Sequence, residues 1–245
     1  MLQEKNKIES HNEYYIKNKK KIIKQFKSLV KLAESIVTPA YNKRIIESVK
    51  MQLFIELENL LWRLPYVGGD DSPFTPLMIQ SAETVAFYKA CKPLDLSERE
   101  LGELIYNIAE KYTKSISPLK KWIYRKLIFS KKMKSYWENW MRESQNRNYP
   151  QNWVGTFIQG ENNLFDYGFN FTECGCLKLL EKEKAEKIAT YVCLCDYARM
   201  RALGIGFKRT KTLAKGAEMC DFRFIKDYET LRGWPPEYLE ENELS

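Results

Sequence analysis

FDYGFNFTEC, residues 165–174, sets aromatic side chains at Phe165, Tyr167, Phe169 and Phe171 against Asp166, Gly168, Asn170, Thr172 and Cys174. A period of two is the signature of a strand with one face on a core, because successive side chains leave a strand on opposite sides. Cys174 then shares a face with polar side chains. Upstream, residues 153–159 are again rich in apolar and aromatic residues, and the polar run Gly160-Glu-Asn-Asn163 separates the two stretches, so the pair reads as a hairpin. Downstream, the apolar spacing becomes helical from about Glu183 to Leu203, and Gly204 and Gly206 end it. Two further strand-like stretches, 207–214 and 218–225, flank Lys215-Gly216-Ala217, where Gly216 supplies the positive φ of a tight turn. The order of this half is therefore β-β-α-β-β.

Towards the N-terminus the period changes. Ile22, Ile23, Phe26, Leu29, Val30 and Ala33 recur at helical spacing, as do Ile45, Ile46, Val49, Leu53, Leu57 and Leu61. Residues 66–76, with Gly68-Gly69-Asp70-Asp71 and two prolines, read as a connector before a helix that resumes near Pro76. Ser97 with Glu100 makes a capping box that starts another helix, and one long helix is expected after Pro118. The fold class that follows is α+β: a helical region over 1–148 packed on a small β-β-α-β-β region over 149–245.

Forty Lys and Arg against 32 Asp and Glu give a net charge of +8. The excess is local: residues 1–50 hold 12 basic and 5 acidic residues, and a second cluster runs through KKWIYRKLIFSKKMK at 120–134. Lysine-dominated helix faces of this kind read as solvated surface, with membrane-surface adhesion of the 120–134 stretch as the other reading. No zinc-finger or RNA-recognition signature is present, so nucleic acid is not an expected partner. No run of about 18 apolar residues can span a bilayer, and the first residues lack the apolar core of a secretory signal. A cytoplasmic location is expected from this. In a reducing compartment the six cysteines are thiols rather than a disulfide framework.

Five of the six, Cys174, Cys176, Cys193, Cys195 and Cys220, fall in the last third of the chain. On a helix Cys193 and Asp196 share a face, whereas Cys195 points away and reads as packing. On the last strand Cys220, Phe222 and Phe224 share one face and Asp221 the other. Two hairpins around one helix would bring Cys174, Cys193 and Cys220 together beside Asp196, although each thiol taken singly also fits a buried packing role. His11 lies in a polar N-terminal stretch, so a Cys-His dyad is not expected, and activation of a thiol falls to a cation such as Arg209 or Lys208. The two C-x-C pairs lack the spacing of a zinc knuckle, and no metal or cofactor is expected.

The run Arg209-Thr-Lys-Thr-Leu-Ala-Lys-Gly-Ala-Glu-Met-Cys-Asp-Phe222 resembles the R-x-x-T-[LI]-A-x-G-x-x-x-C-D-F signature of the L-2-amino-thiazoline-4-carboxylic acid hydrolase family. Asn170-Phe-Thr-Glu-Cys174 resembles its N-x-T-x-C strand, and Cys193-Leu-Cys-Asp196 its C-x-x-D helix. The resemblance runs from about Phe165 to Phe224. It implies hydrolysis of a cyclic amidine such as 2-aminothiazoline-4-carboxylate to a carbamoyl-cysteine, expected at a carbon–nitrogen bond, and a small-molecule substrate bearing a carboxylate. Cys220 is the expected nucleophile, inside the longest match and beside Asp221, and a water activated by an aspartate is the noncovalent variant. Cys174 and Cys193 line the pocket, and Asp196 or Asp221 moves protons, with Asp221 also fit to bracket a turn. Arg209 suits a substrate carboxylate through its planar fork. Thr212, Asn170 and Thr172 complete the expected substrate-binding set. A non-catalytic small-molecule binding module using the same pocket is the rival function.

Overall fold

A computed structural model describes residues 13–161 and 164–242 of the chain. His11, Asn162 and Asn163 lie outside the described residues. In chain order the elements are helices α1 (Lys19–Val37), α2 (Lys43–Leu61), α3 (Thr75–Ala90), α4 (Glu98–Lys114), α5 (Pro118–Ile128) and α6 (Lys131–Ser144), then strands β1 (Val154–Glu161) and β2 (Phe165–Glu173). Helices α7 (Gly175–Lys182), α8 (Ala189–Cys193) and α9 (Cys195–Leu203), strands β3 (Gly206–Lys208) and β4 (Cys220–Ile225), and helix α10 (Pro236–Asn242) complete it. The class is α+β, with the helices gathered in the N-terminal part and one antiparallel sheet in the C-terminal part.

The chain divides into two compact units, one of residues 1–105 with 175–188 and one of residues 106–174 with 189–245. Among its described residues the first holds helices and no strand. Phe26 of α1 meets Phe54 and Phe87 edge to face at 5.6 and 5.8 Å, and Ile46, Val49, Leu53 and Leu57 of α2 are buried at helical spacing. Helix α3 is buried on almost every side, which its small residues Ala82, Ala86 and Ala90 permit. Helix α4 begins as a reciprocal capping box, with Ser97 N donating to Glu100 Oε2 at 2.9 Å and Glu100 N donating to Ser97 Oγ at 3.3 Å. Glu183, just beyond α7, accepts from Arg63 Nε and Nη2 at 2.9 Å each and also binds Lys89. These cations hold its carboxyl down at about 2, below the usual range.

The second unit holds the sheet, in the order β1-β2-β4-β3, antiparallel throughout. The period-two pattern has its expected effect. Tyr167 pairs with Phe224, Phe169 with Phe222 and Phe171 with Cys220, which gathers these side chains on one face together with Phe157 and Phe207. Stacked and tilted ring pairs at 4.9–6.0 Å join them, and Trp137 of α6 covers Phe169 at 5.1 Å. Asn170 pairs with Asp221 on the opposite face.

Three elements depart from the sequence pattern. The helix expected after Pro118 is two, because Ser130 caps a new start, its Oγ accepting from Met133 N at 3.2 Å. The helix expected over 183–203 is preceded by α7 and interrupted at Leu194, where Tyr197 N donates to the Leu194 carbonyl three residues back. Strand β3 ends at Lys208 instead of Ala214. Past it, Asp221 takes the amides of Thr210 and Lys211 that a longer ladder would have needed, and Thr212 caps a 3₁₀ turn at 213–215.

Candidate active site

Arg209 leaves the end of β3 and turns inward beneath the aromatic face. It is 3% exposed, with its guanidinium 5.1 Å from the Phe222 ring centre, 5.7 Å from Tyr197 and 5.9 Å from Phe207. Its Nη1 donates to Asp196 Oδ2 at 2.7 Å and its Nη2 to the Cys193 carbonyl at 2.9 Å. The break at Leu194 explains the second contact: with Tyr197 N bonded to Leu194, the Cys193 carbonyl is offered to the arginine. Tyr197 Oη in turn donates to the Arg209 carbonyl at 2.6 Å, which fixes the backbone from which the guanidinium extends. Burial acts to lower the Arg209 pKa, but Asp196 and the neighbouring Cys193, Tyr197 and Cys220 outweigh it and hold the cation charged.

Near this ion pair lie Cys193 and Cys220. Cys220 opens β4, is buried, and accepts a hydrogen bond at Sγ from Leu213 N at 3.2 Å. Burial pushes its thiol up, while the Leu213 amide and Arg209 pull it down. Cys193 lies within the electrostatic reach of Arg209, Cys174, Asp196 and Cys220, and burial dominates there as well, pushing the thiol up. Cys174, the first residue past β2, interacts electrostatically with Cys193. Cys195 is buried, with its thiol pushed up to about 11 chiefly by that burial. Cys176 is the second residue of α7, in the other unit.

The other expected site residues are held elsewhere. Asp221 accepts from Thr210 N and Lys211 N and, at 2.6 Å, from Thr210 Oγ1, so both oxygens bracket the loop after β3. Thr212 Oγ1 accepts from Lys215 N at 3.2 Å and closes the 3₁₀ turn. Asn170 Oδ1 accepts from Arg223 Nη1 at 2.9 Å on the far face of the sheet, and the exposed Thr172 donates weakly to the Val154 carbonyl at 3.4 Å. The Arg209 fork that suited a substrate carboxylate holds Asp196 and a backbone carbonyl instead. Cys193, Asp196, Arg209 and Cys220 are therefore linked to one another, and Cys174 joins them through its electrostatic interaction with Cys193.

Sequence reasoning passed over Tyr197 and the Leu213 amide. Tyr197 directly follows Asp196, and a tyrosine beside a charged helix residue in an aromatic-rich unit is a readable signal. The amide is not readable, because any residue at position 213 would supply it.

Among the described residues no three His, Cys, Asp or Glu side chains are arranged to hold a metal ion, and no helix is long and apolar enough to cross a membrane. A cavity of about 20 Å³ in the helical unit, lined by residues such as Val30, Ile46, Leu53 and Cys91, has room for about one water and none for a substrate. No curated protein and no solved structure matches the chain. A family model, that of L-2-amino-thiazoline-4-carboxylic acid hydrolase, matches residues 79–224, which include Cys174, Cys193, Asp196, Arg209 and Cys220. With the match covering more than half of its length, the chain belongs to the L-2-amino-thiazoline-4-carboxylic acid hydrolase family.

Proposed function

We propose that the protein hydrolyses a small cyclic amidine of the 2-aminothiazoline-4-carboxylate kind, with Cys220 as nucleophile. The observation that carries this is the position of Cys220 Sγ, which receives the Leu213 amide and sits in the field of the buried Arg209. An N–H donor and a fixed cation are the two features that favour a thiolate. The Cys220 thiolate would attack the ring carbon between sulfur and nitrogen. The bond from that carbon to the ring sulfur breaks, and the sulfur leaves as a thiol after taking a proton. Water then adds to the same carbon, the bond to Cys220 breaks, and the product is the N-carbamoyl amino acid with a free thiol. In this scheme the ring carbon–nitrogen bond survives, since the carbamoyl group stays on nitrogen. Asp196, whose side chain is 28% exposed beside the buried arginine, would relay protons to and from solvent.

The burial that raises Cys193, Cys195 and Cys220 favours a second reading, a binding module in which the thiols only line the cavity. Incubating the purified chain with 2-aminothiazoline-4-carboxylate separates the two. The hydrolase releases one thiol per substrate, read with a thiol reagent. Saturable binding by calorimetry with no thiol released would establish the binding module instead.

A further inference from the structure

Helix α5 has no buried residue at all, which is unusual for a helix of 11 residues in a folded unit. Its inner side is nonetheless fixed. Arg125 lies against Gly204 at the end of α9, and Lys121 Nζ donates to the Lys114 carbonyl at 3.0 Å. What faces outward is apolar: Leu119, Trp122, Ile123 and Leu127, at i, i+3, i+4 and i+8, are 39–67% exposed, with Tyr124 beside them. Helix α6 adds Tyr136, 41% exposed. The charge along this stretch of chain has one sign. Between Glu110 and Glu138 the chain carries nine lysines and arginines and no acidic residue. Lys126 sits within the apolar arc, and Lys120, Lys131 and Lys132 stand exposed along its edges.

We infer that α5 and the start of α6 form a docking surface for an anionic phospholipid bilayer, on which α5 lies flat. A helix that offers Trp, Leu and Ile on one arc and lysines around it matches the two layers of such an interface. The rings and aliphatic side chains enter the acyl boundary while the lysine stems reach back to the headgroups. Charge complementarity selects this occupant over the others. A second copy docked on the same face about a two-fold axis would set Lys120, Lys126, Lys131 and Lys132 against the same four lysines. A nucleic acid would satisfy the lysines, but its phosphates gain nothing from Leu119, Ile123 and Leu127.

Co-sedimentation of the full chain with vesicles tests the inference. Vesicles of phosphatidylcholine with about 30% phosphatidylserine should pellet the protein, those of phosphatidylcholine alone should not, and added salt should reverse the binding. Trp122→Ser with Leu119→Ser and Leu127→Ser should weaken partitioning by about tenfold or more, as should Lys126→Glu with Lys131→Glu. All five side chains are exposed, so melting curves should match the wild type and confirm that the variants fold. No pelleting with anionic vesicles, or equal pelleting with neutral ones, would overturn the inference. So would a wild-type dimer in light scattering that the triple serine variant converts to monomer, or an RNA complex that depends on Trp122.

Discussion

Arg209 is 3% exposed, so its charge is tolerated there only because Asp196 and the Cys193 carbonyl meet it. Removing one partner of such a pair leaves a buried charge uncompensated, whereas a surface pair would hardly be missed. Asp196→Ala should therefore cost about 3 kcal/mol of stability, somewhat moderated because Asp196 is itself partly exposed. Arg209→Lys keeps the charge but loses the planar fork that reaches two acceptors and stacks among three rings, so it too should destabilise the fold. Chemical denaturation of both variants checks this, and a loss under about 0.5 kcal/mol for Asp196→Ala would show the pair to be solvated. The roles of these residues were half legible. That Arg209, Asp196 and the cysteines belong together follows from their motif spacing. That the fork turns inward does not, because a sequence shows an arginine's chemistry and not which side of its strand ends is buried.

The connection between β3 and β4 shows why element type was easier to read than element length. Alternation across Phe165–Phe171 fixes the strand and its buried face, and the ring pairs of the sheet follow from it. The stretch 209–214 alternates weakly and is rich in residues whose side chains compete for backbone amides. Asp221 takes the amides of Thr210 and Lys211 and Thr212 caps the turn that follows, so the strand stops at Lys208. Gly216 closes the same connection at φ +82°, with no atom within 4 Å of where a Cβ would stand. Gly216→Ala should consequently cost about 1 kcal/mol from backbone strain alone, and Gly216→Asn less, since asparagine tolerates the left-handed region. Thr212→Ala removes the cap of the turn and should cost a similar amount. Because this turn presents the Leu213 amide to Cys220, both changes should also lower the reactivity of that thiol in labelling experiments. An unaltered melting temperature for Gly216→Ala would contradict the strained geometry.

Over the whole molecule, the shifted groups set the pH range in which the fold is stable. Burial pushes Cys91 up to about 12 and Cys195 to about 11, and raises Cys193 and Cys220 as well. Their folded pKa values exceed the unfolded one, so the contribution is complete below about pH 8.5 and is lost as pH rises, by up to about 1.4 kcal/mol per unit for each thiol. Glu183 works in the opposite sense: its folded pKa of about 2 lies below the unfolded value, so its contribution is present above about pH 4.3 and is lost as pH falls towards 2. Melting curves should show a plateau bounded by these two limits. Cys91→Ala should flatten the alkaline limb and Glu183→Gln the acid one, and a limb that the matching variant leaves unchanged would assign it to other groups. The central claim, that Cys220 attacks the substrate, is tested most directly by mass spectrometry of the protein quenched during turnover of 2-aminothiazoline-4-carboxylate. The account predicts an adduct heavier by one substrate on the peptide containing Cys220, forming faster as pH rises because the thiolate fraction grows about tenfold per unit below the raised pKa. It predicts neither adduct nor turnover for a folded Cys220→Ser variant. Turnover that persists in that variant, or an adduct mapped to Cys174 or Cys193, would contradict it.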